Sequence, residues 1–567
     1  MKRVISLALC LMMVLSLAVT AFAAEGDYTI TITNSDSISS AGHKYEAYQI
    51  FSGKLDSTET ILTEIEWGVN LAANADAFLA ALKADTTLGE GEANIFYSAT
   101  TAEQVAEILA APANHTSTVL KAVGKAATAN VSGTPVGTST QSAAPYTITI
   151  PAEMSGYYLV KDVEDVLADD KNKDVSDFIL QVVADVTVEH KGSIPTMDKT
   201  VSETGNTYGD AIATGINETH YYRIVAELPD DYRLYDNYYL EFSDKMSEGL
   251  TFDGIVAVRA IIRSSGTSVE IDPSSSYTVS HTPLGADDAT APNGTHLKVI
   301  ITDIKTAEIV ENGARATLTL TADDAIEVIY KAHVNDKAVV DGNGIPNNAS
   351  IIYSNNPNSE GKGESTPDET NVYPINLKLV KVDGKAKTVK LEGAEFVLAR
   401  PYSDGVNQKS QYAVVDSNNK ISKWVDHYEG DDCTEEHAAG TEFASVLTTD
   451  ANGEFNVIGL DAGRYDIIEI TPPDGYNKLT EEISISVSIT IDEANDKINT
   501  MTGNTDQGTI TFTPENATVT LTVDNYKGDV LPSTGGIGTT LFYVLGGLMV
   551  AGAAVLLVTK KRMGAEG

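Results

Sequence analysis

The sequence predicts a mainly β protein built from β-sandwich domains in tandem, and three observations lead to that class. Apolar and polar residues alternate in short runs such as YTITIT from Tyr28 and TVTLTV from Thr518, which is typical of half-buried strands. Glycine, asparagine and aspartate punctuate these runs, as in TTDANGEF from Thr448. A chain of 567 residues is too long for one hydrophobic core, so about three domains are expected.

The composition limits the class of protein and its partners. Hydrophobic residues make up 42% of the chain and charged residues 21%, which is typical of folded globular domains. The formal net charge of -41 disfavours nucleic acid and anionic lipid as partners. The sequence has no glycine-rich phosphate loop, serine nucleophile motif or zinc-protease motif. We therefore expect neither an enzyme nor a cofactor.

The N-terminal residues 1–23 have the features of a secretory signal. Lys2 and Arg3 form a basic start, residues 4–19 form an apolar run, and Ala21-Phe22-Ala23 is a small-residue cleavage site. The sequence thus predicts a secreted chain that begins at residue 24 once the signal is removed.

Only one cysteine remains after the predicted signal is removed, because Cys10 leaves with it. Cys433 cannot form an internal disulfide by itself. It lies between His427 and His437 in WVDHYEGDDCTEEH, but the spacing matches no standard zinc pattern. A polar hairpin loop is the expected structure there, and no metal site is predicted.

The C-terminal residues 531–567 hold a hydrophobic segment and a basic tail. Residues 537–558 are apolar for about 20 residues, which is enough to span a bilayer as a helix. Lys560, Lys561 and Arg562 follow, so the C-terminus should stay in the cytoplasm. Together with the signal, this segment places the residues between them outside the cell.

A polar pentapeptide stands immediately before the hydrophobic segment. It reads Leu531-Pro532-Ser533-Thr534-Gly535 and resembles the LPxTG sorting signal of Gram-positive surface proteins. The resemblance implies that a sortase attacks the carbonyl of Thr534, releases Gly535 onward, and passes the acyl group to an amine. The proline keeps the pentapeptide out of the helix, which suits a protease cleft.

The clearest domain is predicted at residues 377–527. Its pieces LKLVKVDG, IIEITPPDGY and VDNYKG resemble a CnaB-type immunoglobulin-like domain, and they contain Lys381, Glu469 and Asn525. If the first and last strands are neighbours, the lysine can meet the asparagine beside the carboxyl group. The resemblance implies a Lys381–Asn525 isopeptide bond with Glu469 as the catalytic acid.

Burial explains how such a bond could form without an enzyme. Burial disfavours the charged ammonium group, so the lysine becomes a nucleophile, and burial also raises a carboxyl pKa. The fold holds the reacting atoms together, and ammonia leaves. Asp524 stays open as the alternative to Asn525, and a bond to it would release water instead. The bond would constrain the unfolded chain as a disulfide does.

The middle segment, residues 193–371, resembles the CnaA-like middle domain of pilin shafts. The matching pieces are PTMDKTV, LEFSDKMSEGLTF and NNASIIYSNNP. The resemblance implies a second bond, with Lys199 as nucleophile and Asp244 as catalytic acid. Asn348 is the favoured partner, and the remaining candidates are Asn347, Asn355 and Asn356.

The first mature segment, residues 24–190, is expected to be an immunoglobulin-like domain similar to the CnaB type with helical insertions, and it shows no comparable set of residues. In TAEQVAEILAA, helical spacing places Val105, Ile108 and Leu109 on one face. Thr101 and Gln104 could form a capping pair at the start of this helix.

The three segments and both terminal signals together resemble the major shaft pilin of Gram-positive sortase-assembled pili. Such pilins carry an acceptor lysine in a Val-Tyr-Pro-Lys motif near the end of the first domain. Lys191 stands at that place, although Glu189 and His190 replace tyrosine and proline. Lys378 and Lys161 are weaker candidates, and Ile375 fills the lysine position of the VYPIN sequence.

The resemblance implies a structural subunit of a wall-anchored pilus on a Gram-positive cell. Its partners would be sortases, further copies of the chain, and peptidoglycan, with minor pilins and host surface ligands as further candidates. The alternative is a monomeric wall-anchored adhesin or a minor pilin, for which an acceptor lysine is not needed.

Overall fold

The computed structural model describes most of the chain, and its strands form three successive groups. We call them the N-terminal domain, the middle domain and the C-terminal domain. The described residues are 13–14, 26–34, 42–55, 62–163, 174–190, 193–311, 314–358, 360–403, 408–429, 441–492, 497–528 and 537–563. The prediction of a mainly β chain with tandem immunoglobulin-like sandwiches is confirmed.

The N-terminal domain packs two sheets against each other and adds a helical layer. Its larger sheet has the order β1-β8-β7-β3-β4, with β5 on β3, and its smaller sheet has the order β6-β2-β9. The strands are β1 (Met13–Val14), β2 (Tyr28–Asn34), β3 (Tyr45–Leu55), β4 (Leu62–Trp67), β5 (Gly137–Thr138), β6 (Tyr146–Ile150), β7 (Gly156–Asp162), β8 (Phe178–Val182) and β9 (Val186–His190).

Three α-helices cover the larger sheet of this domain: α1 (Ala75–Ala84), α2 (Ala102–Ala110) and α3 (Ser117–Asn130). The predicted helix is α2, and its inward face carries Val105 and Leu109, with Ile108 half-buried. The Thr101 hydroxyl caps it by accepting a hydrogen bond from the Gln104 amide at 3.3 Å. The helices and the sheet share one apolar core.

The middle domain is a sandwich of two large sheets around one core. One sheet has the order β10-β12-β20-β14-β15, and the other has the order β11-β23-β21-β13-β17-β16, with β22 on β21; β18 and β19 pair separately. The strands are β10 (Thr196–Ser202), β11 (Ala211–Ala213), β12 (Thr219–Glu227), β13 (Leu240–Met246), β14 (Leu250–Ile262), β15 (Thr267–Glu270), β16 (Thr278–Pro283), β17 (Thr295–Ile301), β18 (Glu308–Glu311), β19 (Ala314–Thr317), β20 (Ala325–Val334), β21 (Ile345–Ser354), β22 (Lys362–Glu364) and β23 (Asp368–Tyr373).

The C-terminal domain is a second sandwich with its own core. Its sheets have the orders β29-β24-β34-β33 and β27-β26-β25-β30-β31-β32, with β28 on β25. The strands are β24 (Ile375–Asp383), β25 (Glu395–Ser403), β26 (Gln408–Val415), β27 (Ile421–Val425), β28 (Leu447–Thr448), β29 (Glu454–Leu460), β30 (Gly463–Thr471), β31 (Ile483–Asp492), β32 (Lys497–Thr505), β33 (Thr509–Thr513) and β34 (Thr518–Asn525).

The first and last strands of the C-terminal domain are direct neighbours. β24 and β34 pair in parallel, with Leu377 opposite Val519 and Asp383 opposite Asn525. Residues of β34 alternate between half-buried and buried, as the sequence pattern predicts. The two ends of the domain are therefore brought together in one sheet.

Short 3-10 helices connect several of these elements. They are Ala72–Asn74, Thr86–Leu88, Gly91–Ala93, Pro112–Asn114, Ala152–Met154, Tyr232–Leu234, Ile304–Thr306 and Pro514–Asn516.

The domains contact each other through hydrogen bonds and ion pairs at both joints. Between the N-terminal and middle domains, the Val175 amide donates to the Asn355 carbonyl at 2.9 Å. Between the middle and C-terminal domains, the Arg400 guanidinium lies 2.6 Å from Glu218, and the Ile216 amide donates to the Gly459 carbonyl at 2.9 Å.

The last element is the helix α4 (Ile537–Met563), which covers the predicted hydrophobic segment. Apolar side chains of its described part, such as Leu548, Val550 and Leu557, are exposed. Across the part of the chain that the structure describes, no helix has the combined length and apolar character needed to cross a membrane.

Candidate functional site

The middle domain holds a buried ion pair between its two sheets. Lys199 lies on β10 of one sheet and Asp244 on β13 of the other. The Lys199 ammonium donates to Asp244 Oδ2 at 2.6 Å, and both side chains are at most 1% exposed. The predicted nucleophile and the predicted acid are therefore in contact.

The asparagine at this site is Asn347, so the preference for Asn348 is wrong. Asn347 is fully buried on β21, and its Nδ2 donates to the Tyr330 hydroxyl at 2.7 Å. The Tyr330 hydroxyl in turn donates to Asp244 Oδ2 at 2.8 Å. Lys199, Asp244, Asn347 and Tyr330 form one connected group, which we call the middle-domain site.

Strand geometry explains why the neighbouring asparagine is elsewhere. Successive side chains of a strand point to opposite faces, so a shift of one residue changes the face completely. Asn348 is half-buried and donates to Glu369 Oε2 at 2.7 Å on the other face of β21. The other two candidates, Asn355 and Asn356, follow the end of this strand.

Tyr330 is the member of the middle-domain site that sequence reasoning missed. It lies on β20 outside any recognised motif, and it is fully buried. Its ring stacks on that of Tyr222, with centroids 5.2 Å apart and an interplanar angle of 10°. A buried tyrosine hydroxyl needs a hydrogen-bond partner, and this was the only available signal.

The electrostatics of the middle-domain site favour a neutral lysine. Burial lowers the pKa of Lys199, against the opposing effect of Asp244. Burial, together with the charge of Asp244, raises the pKa of Tyr330 well above its usual value, so the hydroxyl keeps its proton. Asp244 Oδ1 and Asn347 Oδ1 have no hydrogen-bond partner among the described residues.

The C-terminal domain contains a second group of a lysine, a carboxyl group and an asparagine. Lys381 on β24 lies with its ammonium 2.9 Å from Glu469 Oε1 on β30. Asn525, at the end of β34, donates from Nδ2 to the same oxygen at 3.5 Å. All three predicted residues are buried together, and we call them the C-terminal-domain site.

The environment of this second site again favours the neutral lysine. Burial lowers the pKa of Lys381, although the hydrogen bond and the charge of Glu469 oppose it. Glu469 Oε2 accepts a hydrogen bond from the Leu479 amide at 2.7 Å, which fixes the carboxyl group. The ammonium also lies 5.2 Å from the ring centroid of Phe396.

The structure separates Asn525 from the alternative Asp524. Asp524 is the preceding residue on β34 and therefore points to the opposite face. It is half-buried and forms an ion pair with Lys387 at the surface. Asn525 is the residue that faces Lys381.

The predicted sorting signal and acceptor lysine lie outside the described residues. This applies to Leu531, Pro532, Ser533, Thr534 and Gly535, and also to Lys191. Of the two weaker acceptor candidates, Lys378 forms an ion pair with Glu454 at 2.6 Å on the surface of β24. Lys161 is half-buried on β7.

Two family profiles match the chain. The SpaA family, described as a prealbumin-like fold domain, matches residues 375–506. The LPXTG cell wall anchor motif of Gram-positive bacteria matches residues 523–563. The first match covers most of the C-terminal domain, including Lys381 and Glu469, and the second contains the pentapeptide and α4.

A curated protein and two solved structures are similar to longer parts of the chain. The trypsin-resistant surface T6 protein of Streptococcus pyogenes serotype M6 is 26% identical over 436 residues, covering 66% of this chain and 70% of that protein. The T6 backbone pilin structure from the same serotype has a TM-score of 0.46 at 19% identity, covering 90% and 100% of the two chains. The full-length major pilin SpaD of Corynebacterium diphtheriae has a TM-score of 0.44 at 15% identity, covering 89% and 98%.

These features define a surface protein anchored to a Gram-positive cell wall through an LPXTG motif. Its C-terminal domain is a SpaA domain, so the resemblance to pilins that the sequence motifs carried is confirmed. The chain is similar to pilins, and its middle and C-terminal domains each bury a lysine, a carboxyl group and an asparagine together.

Proposed function

We propose that the chain is the repeating subunit of a covalent pilus shaft whose middle and C-terminal domains are closed by autocatalytic isopeptide bonds. A sortase joins Thr534 of one subunit to Lys191 of the next, and the last subunit is passed to peptidoglycan. The proposal is supported mainly by the two buried groups of lysine, carboxyl group and asparagine in a chain that also matches the LPXTG anchor motif.

Each bond forms by exchange of one amine for another. The neutral lysine Nζ attacks the side-chain carbonyl carbon of the asparagine, and the protonated carboxyl group donates a hydrogen bond to the carbonyl oxygen. The C–N bond of the amide then breaks, the leaving nitrogen takes a proton, and ammonia is released. Burial supports the neutral form of the nucleophile, because it lowers the pKa of Lys199 and of Lys381.

Tyr330 has a specific part in the middle-domain site. Its hydroxyl joins Asn347 Nδ2 to Asp244 Oδ2, so it holds the leaving nitrogen beside the acid. The proton that the departing ammonia needs can pass along this hydrogen-bonded chain. The C-terminal-domain site makes the corresponding contact directly, since Asn525 Nδ2 lies beside Glu469 Oε1.

The position of the bonds suits a subunit that carries tension. In a shaft, force enters the C-terminal domain at β24 and leaves it at β34, which are parallel neighbours. A Lys381–Asn525 bond links these two strands, so force passes through the covalent bond. The intervening chain is then bypassed and cannot be extended by pulling. Lys199 and Asn347 give the middle domain a similar bypass.

A second candidate function is a singly anchored adhesin or a minor pilin. The observation that favours it is the replacement of tyrosine and proline by Glu189 and His190 before Lys191. Such a protein would keep both internal bonds and the anchor, but it would not be joined to further copies. Binding to host surface ligands or to minor pilins would belong to either function.

The acceptor lysine provides the test that separates the two functions. Wall extracts are boiled in detergent and immunoblotted for wild type, Lys191→Ala and the matched control Lys378→Ala. We expect a ladder of covalent multimers in wild type and control and its collapse to monomer in Lys191→Ala. A ladder in all three samples would move the acceptor to another lysine. A single band in the wild type would refute the shaft function.

A further inference from the structure

The N-terminal domain contains a buried group of histidines and aspartates that neither isopeptide site uses. We call His43, Tyr45, Asp162, Asp174 and His190 the histidine–aspartate cluster. Tyr45 begins β3, Asp162 ends β7 and His190 ends β9, so the fold brings distant parts of the chain together at one end of the domain. All five residues are at most 3% exposed.

The contacts within the cluster are short and polar. His43 Nδ1 lies 2.7 Å from Asp162 Oδ2, and His190 Nε2 lies 2.6 Å from Asp174 Oδ2. The Tyr45 hydroxyl lies 2.6 Å from His190 Nδ1. The two imidazole rings are themselves neighbours, with centroids 4.5 Å apart. One nitrogen of each histidine and one oxygen of Asp162 all lie within 4.8 Å of one another.

Three polar atoms of the cluster have no hydrogen-bond partner among the described residues. They are His43 Nε2, Asp162 Oδ1 and Asp174 Oδ1. Leaving a buried polar atom unpaired costs roughly 1–3 kcal/mol, so three in one place call for a ligand. All three are atom types that bind divalent transition metals.

The charge around the cluster also favours a cation. Asp177 and Asp231 are buried close by, which gives four carboxyl groups against two imidazoles. Burial, followed by the charge of Asp174, raises the pKa of Asp231 to about 8. A bound cation would offset the excess of carboxyl groups over imidazoles.

We propose that the histidine–aspartate cluster is a binding site for a divalent transition metal of the zinc class, with His43, Asp162 and His190 as ligands. Two imidazoles and a carboxylate are a common protein ligand set for zinc. Both nitrogens of His190 are hydrogen-bonded, Nε2 to Asp174 and Nδ1 to the Tyr45 hydroxyl, so the metal takes the place of the Asp174 contact and Tyr45 positions the ring, as outer partners do in metal sites. The metal replaces the protons that the two histidine–aspartate contacts share, so binding releases protons.

Sequence spacing alone could not reveal this site, because the ligands are more than a hundred residues apart between His43 and Asp162. It lies in a different domain from both isopeptide sites. Its test therefore does not depend on pilus assembly, and failure of one proposal leaves the other standing.

The test uses the full-length chain, purified in detergent and freed of metal with a chelator. Zinc chloride is titrated calorimetrically, and bound zinc is counted by elemental analysis after dialysis. We expect one equivalent per chain in wild type and its loss in His43→Gln and His190→Gln. The matched control is His333→Gln, which removes a histidine paired with Asp253 at 2.8 Å on the middle domain. This control should keep the full equivalent.

Two further measurements keep the test decisive if the histidine variants do not fold: a milder variant of the cluster and a cobalt spectrum of the wild type. Tyr45→Phe keeps all three ligands but removes the hydroxyl beside His190, and it should weaken zinc binding roughly 10–100-fold. Cobalt(II) added to the wild-type chain should give the visible absorption bands of a four-coordinate nitrogen–oxygen site. Absence of bound zinc and of these bands in the wild type would overturn the proposal. Equal zinc binding by the wild type and both histidine variants would also overturn it.

Discussion

Replacing the two asparagines of β21 one at a time tests which of them forms the isopeptide bond of the middle domain. Asn347→Ala removes the amide that donates to Tyr330 in the middle-domain site, whereas Asn348→Ala removes an amide that contacts Glu369 on the other face. The two residues are adjacent and of the same type, so each variant is the control for the other. We expect only Asn347→Ala to prevent the bond in the middle domain.

The size of the effect follows from the length of chain that the bond closes. A Lys199–Asn347 bond closes a loop of about 150 residues, and the chain-entropy relation gives about 5 kcal/mol of stabilisation for such a loop. A domain of this size shifts its melting temperature by roughly 2–4 °C per kcal/mol. The unlinked middle domain should therefore melt roughly 10–20 °C below the linked one.

Intact-mass spectrometry and calorimetry measure the two consequences separately. The wild-type chain should be lighter than its sequence mass by two ammonia molecules, one for each bond. Asn348→Ala should also lack two, whereas Asn347→Ala should lack only one and should melt earlier. Peptide mapping should recover the branched Lys199–Asn347 peptide from wild type and from Asn348→Ala.

The opposite pattern would refute the assignment from the geometry of β21. If Asn348→Ala lost only one ammonia relative to its sequence mass and Asn347→Ala lost two, the bond would be formed by Asn348. A wild-type chain at its full sequence mass would show that neither buried group reacts.

Three further predictions concern the second site, the reaction path and the pH dependence. Glu469→Ala should leave the C-terminal domain without its isopeptide bond. The variant should then lose only one ammonia relative to its sequence mass, and the stability of the domain should fall by roughly 5 kcal/mol. Loss of two ammonia molecules, as in the wild type, would show that Asn525 reacts without the acid. Tyr330→Phe should slow bond formation in the middle domain by roughly 10–100-fold, measured by mass against time after synthesis, and an unchanged rate would remove the tyrosine from the reaction. Burial lowers the pKa of His220 to about 4, so the unfolded chain binds a proton before the folded one as the pH falls below 6.5. His220 by itself should therefore contribute a loss of about 3 kcal/mol of stability between pH 6.5 and 4, so the stability difference between wild type and His220→Gln should change by that amount in melts at these two pH values.

Local patterns in the sequence were sufficient for the class of fold and for the C-terminal-domain site. Alternation of apolar and polar residues predicted strands such as β34, and helical spacing predicted α2. Lys381, Glu469 and Asn525 each lie in a distinctive short motif, and the structure brings them together. These features could be found because they depend on neighbours along the chain.

The middle-domain site shows where local patterns fail. The sequence NNAS offers two adjacent asparagines, and only the register of β21 against β13 decides which one faces Lys199. A register is set by the packing of whole sheets, so no short window contains that information. Tyr330 was missed for the same reason, because an isolated tyrosine in an apolar strand resembles any other core residue.

The sequence by itself therefore determined the LPXTG anchor motif and the succession of β domains, and it predicted the secretion signal and the residue types for the bond chemistry. Only the tertiary structure decided which asparagine meets Lys199, that Asn525 rather than Asp524 faces Lys381, and that His43, Asp162 and His190 meet in the N-terminal domain. The physical reason is that motifs are properties of neighbouring residues, whereas these contacts join strands far apart in the chain, and their side-chain directions are fixed by sheet register and by burial.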